Sequence, residues 1–225
     1  MSTIRVAIDG PSGAGKSTLA RAAAAALGFL YVDTGAIYRT VALYVREQNA
    51  DPGDEPAVSA VLPMFHIELQ YSEAGNQRMF LNGRDVSEEI RHPEISRYAS
   101  AVSALPAVRA YLMETQRELA RKNSVVMDGR DIGTVVLPDA EVKIFLTASA
   151  RVRAERRFRE LEERGTPQPF AEVLRDIEER DFRDTHRQAA PLRQAEDAAL
   201  LDTSMLNFQQ SLETLLDIIR ERIGV

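Results

Sequence analysis

Residues 4–18 read IRVAIDGPSGAGKST. Ile4, Val6, Ala7 and Ile8 make a short apolar run that ends in glycine, the pattern of a buried strand feeding a turn. Gly10, Gly13 and Gly15 let the backbone bend until successive N–H groups point inward. Lys16 to Leu27 has helical composition, with an alanine run from Ala22 to Ala26, and Gly28 is placed to cap its end. Gly10 to Ser17 fits G-x-x-x-x-G-K-[ST], and it has the strand before it and the helix after it that give this motif its meaning. The turn is a cradle for phosphate oxygens, and the helix start adds its positive end. Lys16 can reach the outer phosphates as a point charge, and the Ser17 hydroxyl can ligate Mg²⁺. The expected contacts of a nucleoside triphosphate are therefore Gly10, Pro11, Ser12, Gly13, Ala14, Gly15, Lys16, Ser17 and Thr18. No Asn-Lys-x-Asp for reading guanine is present, so ATP is the expected ligand.

Working outward, the chain alternates short apolar segments with amphipathic ones. Strands are predicted at Phe29 to Val32, Ser124 to Met127, Val142 to Leu146 and around Leu200 and Leu201. Helices are predicted at Thr34 to Gln48 and Ser211 to Ile223. This alternation predicts an α/β protein, a parallel sheet flanked by helices on both faces. Two regions depart from it. Met64 to Arg84 alternates around a Gly-Asn and then an Asn-Gly turn, which predicts a small antiparallel β insert. Ser149 to Arg164 and Phe170 to Arg187 are highly charged and are joined across Gly165, Pro167 and Pro169. They predict a helical hairpin, either a mobile lid or an ordinary exposed pair.

The 225 residues, 44% of them hydrophobic, suffice for one α/β core with small appended pieces. With no cysteine, disulfides, thiolate zinc sites and cysteine nucleophiles are excluded. The three histidines lie far apart in sequence, so any metal must come through oxygen ligands. No apolar run approaches the length of a membrane span, and the N-terminus enters a strand at once. A soluble cytoplasmic protein is expected. The net charge of −6 argues against a general nucleic-acid binder. The cations are 25 Arg against 3 Lys, with eleven Arg between Arg151 and Arg193. Arginine suits bidentate grip on phosphate, but a solvated, salt-bridged helical face would be built of the same residues.

Three further constellations carry chemistry. Asp33-Thr-Gly-Ala-Ile-Tyr-Arg39 ends the second strand and opens a helix that Asp33 or Thr34 can cap. One turn there presents Thr34, Tyr38 and Arg39 together. Asp128-Gly-Arg-Asp131 follows the strand ending at Met127. In an open parallel sheet ligands bind beyond the carboxyl ends of strands, so Asp128 can help hold magnesium and Arg130 and Asp131 can face an acceptor; a tight Asp-Gly turn is the plainer alternative. Arg180, Asp184 and Arg187 are spaced i, i+4, i+7 and share one helical face, as phosphate clamps or as a surface ladder.

Taken together, the motifs GPSGAGKST, DTGAIYR, DGRDIGTVV, VKIFLTAS, the RRF segment, ERDFRD and LDTS resemble the bacterial cytidylate kinases. These belong to the nucleoside-monophosphate kinase group of P-loop proteins, and the likeness runs nearly the length of the chain. The resemblance implies phosphorylation of CMP and dCMP by ATP with Mg²⁺. It implies a P-loop NTPase-type CORE (1–36, 105–149 and 169–225) and an NMP-binding part (37–104, with the insert at about 63–86). It also implies a LID at 150–168. By position it implies acceptor contacts from Thr34, Tyr38 and Arg39, a cytosine-reading hydroxyl at Ser100 and a phosphate clamp at Arg109. Arg130 and Asp131 match acceptor-phosphate and base or sugar contacts, and Arg180, Asp184 and Arg187 an active-site face. Lys16, Arg130 and Arg187 are the expected catalytic set, and Ser17 and Asp128 the expected metal ligands. Arg153, Arg156 and Arg157 fall in the LID, with Arg157 assigned to ATP. Thr34 replaces a frequent serine and keeps the hydroxyl. A kinase for UMP, AMP or another small acceptor is the nearest rival, and a non-catalytic nucleotide-binding switch is the rival from another class. The resemblance implies a monomer, with small-molecule substrates as its partners.

Overall fold

The computed structural model describes residues 3–73 and 75–224. In chain order the elements are β1 (Arg5–Asp9), α1 (Lys16–Leu27), β2 (Leu30–Asp33), α2 (Thr34–Glu47), α3 (Glu55–Val61), β3 (Ile67–Tyr71), β4 (Gln77–Leu81), β5 (Arg84–Asp85), α4 (Pro93–Val102), α5 (Pro106–Lys122), β6 (Val125–Gly129), β7 (Val142–Thr147), α6 (Ala150–Glu163), α7 (Phe170–His186), β8 (Ala199–Asp202) and α8 (Phe208–Ile223). One sheet has the order β2-β6-β1-β7-β8, and every pairing in it is parallel. The other has the order β3-β4-β5 and is antiparallel.

The large sheet is buried on both faces. Val6 and Ile8 of β1 pack with α1 and α8 through Leu19, Ala23, Leu215 and Ile219. Ala7, between them, faces the other layer with Ile37, Val41, Leu112 and Met127. Each large aliphatic side chain buried this way contributes roughly 1.5–3 kcal/mol, so the two layers fix strand register. Register aligns Asp9 with Gly129 and Asp33 with Asp128. The carboxyl ends of β1, β2 and β6 therefore stand level, at the place where the strand order reverses around β1.

The insert is tied to this edge. Gln77 of β4 donates to the Asp33 carbonyl at 3.3 Å and accepts from the Asp33 N–H at 2.8 Å, as a neighbouring strand's backbone would. The Tyr71 hydroxyl donates to the Tyr31 carbonyl at 3.0 Å. The Asn82-Gly83 turn has positive φ at both residues, +48° and +81°, as the tightest hairpins require. In the preceding turn Gly75 is also left-handed, while residue 74 lies outside the described residues.

Helices α6 and α7 form the expected charged hairpin. It has a small apolar seam of Ala154, Leu161, Val173 and Ile177, with Phe158 edge-on to Phe170 at 6.0 Å. Its inner side touches the phosphate loop, because Arg153 donates to the Ser12 carbonyl at 3.0 Å and also grips Asp181.

Several boundaries correct the sequence reading. The last helix begins at Phe208 rather than Ser211, because Asn207 and Gln210 form a reciprocal capping box that starts it three residues earlier. Of the two candidate caps for α2, Asp33 accepts from the Ala36 N–H at 2.8 Å, while the Thr34 hydroxyl donates to the Asp128 carbonyl at 2.7 Å. Helices α3, α4 and α5 were not anticipated; each has proline in its first turn, a position that costs no hydrogen bond. Ile132–Val136 is a single π-helical turn.

Candidate active site

The carboxyl ends of β1, β2 and β6 open into one cavity of about 590 Å³. Three kinds of wall surround it. The phosphate loop, from Ser12 to Thr18, forms the first. Here the loop sequence sets the backbone: Gly13 and Gly15 have φ of +75° and +87°, and Gly15 hands over directly to α1. At Gly10 a Cβ would lie 1.9 Å from the Leu146 carbonyl oxygen, so only glycine fits. Gly10 and Pro11 shape the loop from behind and do not line the cavity. The Lys16 ammonium donates to the Pro11 carbonyl at 2.7 Å. Burial, and then the neighbouring Arg130 charge, hold this lysine well below its ordinary pKa. A bound polyanion at the loop reverses that imbalance by giving the cation a counter-charge.

The second wall is cationic. Tyr38, Arg39, Arg109, Arg130, Arg180 and Arg187 all line it. They come from α2, α5, the turn after β6, and the end of α7. Two carboxylates organise them. Asp131 accepts from Arg109, and from Arg187 at 3.2 Å. Asp184 accepts from the Arg130 Nε at 2.8 Å. Burial pushes Asp184 up, but the Arg130 charge and hydrogen bond, with the Arg180 and Arg187 charges, together outweigh it and hold the group below the usual carboxylate range. Arg39 leans on Asp33 at 3.1 Å. Arg109 also lies over the Tyr38 ring at 5.8 Å.

Among the described residues the Nε atoms of Arg39 and Arg180 are buried without any hydrogen-bond partner. Arg180 is lowered to about 10, first by burial and then by the Arg130 charge. Buried donors left unpaired cost about 1–3 kcal/mol each, a cost that any acceptor reaching them would relieve.

Between these walls stands Asp128. It accepts from the Ser17 hydroxyl at 2.8 Å and from the Tyr31 hydroxyl at 2.9 Å. Burial, reinforced by the Asp33 charge, pushes it up to about 6. Among the described residues no group of three or more His, Cys, Asp or Glu is arranged for metal binding. The donors here are instead one carboxylate and one hydroxyl beside the phosphate cradle. That set suits Mg²⁺, which takes few protein oxygens and completes its shell with phosphates and water.

The third wall was not anticipated. Thr203, Leu206, Asn207, Phe208 and Ser211, from the loop before α8 and its first turn, line the side next to the phosphate loop. Arg156 joins them: it donates to the Thr203 carbonyl at 2.8 Å and to the Ala14 carbonyl at 3.4 Å. Arg157 pairs with Glu160 instead and does not line the cavity. One residue is about 100° of helical rotation, which turns Arg156 inward and Arg157 outward. Ser100 lines the acceptor side, with Ser96 and Ser103 beside it.

A parallel sheet with a phosphate loop at its switch point and an arginine-walled bay next to it defines a P-loop kinase fold. The chain belongs to the cytidylate kinase family, whose model matches residues 6–221. Its relatives include the cytidylate kinase of Lactobacillus johnsonii, 48% identical over 97% of this chain and 95% of the relative. They also include the cytidylate kinase of Carboxydothermus hydrogenoformans, 51% identical over 99% of this chain and 100% of the relative. That of Caldanaerobacter subterraneus subsp. tengcongensis is 48% identical over 97% and 96%.

Proposed function

We propose that this enzyme transfers the γ-phosphoryl group of ATP, with Mg²⁺, to CMP and dCMP. The observation that carries the proposal is the single cavity with two anion-seeking ends, a phosphate loop with Lys16 on one side and five arginines on the other. A binding switch needs the first end only. Two ends match two phosphate-bearing substrates that must meet.

The donor triphosphate lies on the loop amides and Lys16, with its base toward Arg156 and the Thr203 to Phe208 wall. The acceptor phosphate is drawn to Arg39, Arg109, Arg130, Arg180 and Arg187. An acceptor phosphate oxygen attacks the γ-phosphorus, and the bond to the β,γ-bridging oxygen breaks, releasing ADP. That oxygen is already anionic, so no strong general base is needed. Ser17 and Asp128 would hold Mg²⁺, which supplies positive charge to the donor phosphates. Arg130 and Arg187 reach the acceptor phosphate and the charge that spreads over the transferring group. Binding relieves the unpaired guanidinium nitrogens and the suppressed Lys16 charge, and these gains grow as charge develops. Closure of the LID, residues 150–168, and of the NMP-binding part excludes water and limits ATP hydrolysis.

Base choice is assigned to Ser100 and Asp131, with Arg109 orienting the carboxylate. A carboxylate accepts hydrogen bonds, so it favours the 4-amino group of cytosine over the carbonyl of uracil, which would face it acceptor to acceptor. Following the ³¹P spectrum of ATP and CMP with Mg²⁺ tests the assignment. New diphosphate signals of ADP and CDP in equal amounts are expected; ADP and free phosphate without CDP would contradict it.

A further inference from the structure

Asp9 is a buried carboxylate that the mechanism above does not use. It does not line the cavity and, among the described residues, has no ion-pair partner. We propose that Asp9 is a positioning residue that holds the acceptor-side turn 130–136 in register with the phosphate loop. The assignment rests on the cytidylate kinase reading of those two segments.

The geometry is direct. Asp9 is the last residue of β1, and Gly10, the next residue, opens the phosphate loop. Its Oδ1 accepts from the Ile132 N–H at 2.8 Å and its Oδ2 from the Gly133 N–H at 2.7 Å. Both amides begin the π-helical turn, where N–H groups have no partner within the turn itself. At its other end the turn closes on the Asp131 carbonyl, which accepts from Val135 and Val136 at 2.9 and 3.1 Å. A Cβ at Gly133 would meet the Lys143 side chain at 3.2 Å and the Asp9 Oδ2 at 3.4 Å. The turn therefore rests on the carboxylate with no slack.

Just before the turn come Arg130, which grips Asp184, and Asp131, which gathers Arg109 and Arg187. One side chain outside the cavity thus sets where five cavity groups stand. The chemistry requires a carboxylate. Two N–H groups need two acceptor atoms, and an asparagine amide would turn its NH₂ toward one of them. Burial pushes Asp9 up to about 7, helped by the Asp131 charge; the Gly133 and Ile132 amides and Lys16 pull it down, so it is mostly ionised at pH 8.

The test is Asp9→Asn at pH 8, alone and combined with Asp131→Asn, together with amide hydrogen exchange on both wild type and variant. In wild type, the Ile132 and Gly133 amides should be as protected as the β1–β6 ladder, and in Asp9→Asn they should exchange at least tenfold faster. kcat/KM for CMP should fall at least tenfold, about 1.4 kcal/mol of transition-state stabilisation, while KM for ATP stays within twofold. The double variant should lose less than the product of the single losses, since both changes act on one turn. Free exchange of those amides in wild type overturns the assignment. So do multiplicative losses, or equal damage to ATP and CMP. If the variant does not fold, the wild-type exchange decides. If wild type does not phosphorylate CMP, the functional reading fails separately, and the exchange comparison still decides the role of Asp9.

Discussion

Arg130→Met should separate what the arginine does for the fold from what it does for the reaction. The Arg130–Asp184 pair is 2.8 Å long, with 20% of the arginine side chain and 7% of the aspartate side chain exposed. Breaking a fully buried pair costs about 3–5 kcal/mol. Here solvent reaches the arginine, and Arg180 and Arg187 still act on Asp184. A loss of about 1–2 kcal/mol follows, or roughly 2–8 °C in Tm for a chain of this size. Adding Asp184→Asn removes the stranded charge and should restore most of that Tm. Activity should behave differently. A preorganised donor aimed at developing charge is worth roughly 10²–10³ in kcat, and no change at Asp184 replaces it. Thermal melts with steady-state kinetics on Arg130→Met, the double variant and Arg157→Ala make the comparison. Arg157, which does not line the cavity and pairs with Glu160 at 3.1 Å, should change kcat less than twofold. A rate loss for Arg130→Met no larger than for Arg157→Ala would refute the reasoning, as would recovery of rate in step with Tm.

Other outcomes follow from the same geometry. Arg156→Ala should raise KM for ATP several-fold and leave KM for CMP unchanged, because its contacts lie on the loop and the Thr203 side; initial-rate kinetics in both substrates check this. Gln77→Leu should do the reverse, since Gln77 braces Asp33 and through it Arg39. Gly10→Ala should abolish folding or ATP binding, whereas Gly28→Ala, with open space around its Cβ position and φ of +68°, should cost about 1 kcal/mol by thermal denaturation. Asp9 titrates at about 7 in the fold against about 3.9 unfolded. The fold therefore binds that proton more tightly, and the associated stability is full below about pH 4 and drains as pH rises through about 7. Melted at pH 5 and pH 8, wild type should lose several degrees relative to Asp9→Asn; a pH-independent gap would contradict the shift.

How much of this was legible in the sequence follows from how local each signal is. The phosphate loop could be read because strand, glycines, lysine and helix are contiguous. The parallel sheet could be read because strands buried on both faces are short and apolar. The spacing of Arg180, Asp184 and Arg187 predicts one helical face, but the helix stops at His186 and Arg187 lies just beyond it in extended backbone; only the fold places Asp184 against Arg130 and Arg187 against Asp131. Nothing local marks Asp9, which stands between the apolar run ending at Ile8 and Gly10. Its partners, Ile132 and Gly133, are over a hundred residues away and meet it only through the β1–β6 register. The Thr203 to Ser211 wall depends on where α8 begins, and the Asn207/Gln210 capping box was the available signal for it. Which of Arg156 and Arg157 faces inward is a matter of helix rotation fixed by the Ala154 and Leu161 seam.

The most direct test of the central claim is ADP release from ATP with Mg²⁺ across CMP, dCMP, UMP, AMP and GMP at matched concentrations. Strong turnover with CMP and dCMP, weak turnover with UMP and none with the purines is the predicted result. Turnover with none of them, or a preference for a purine monophosphate, would contradict the roles given to Ser100, Arg109 and Asp131.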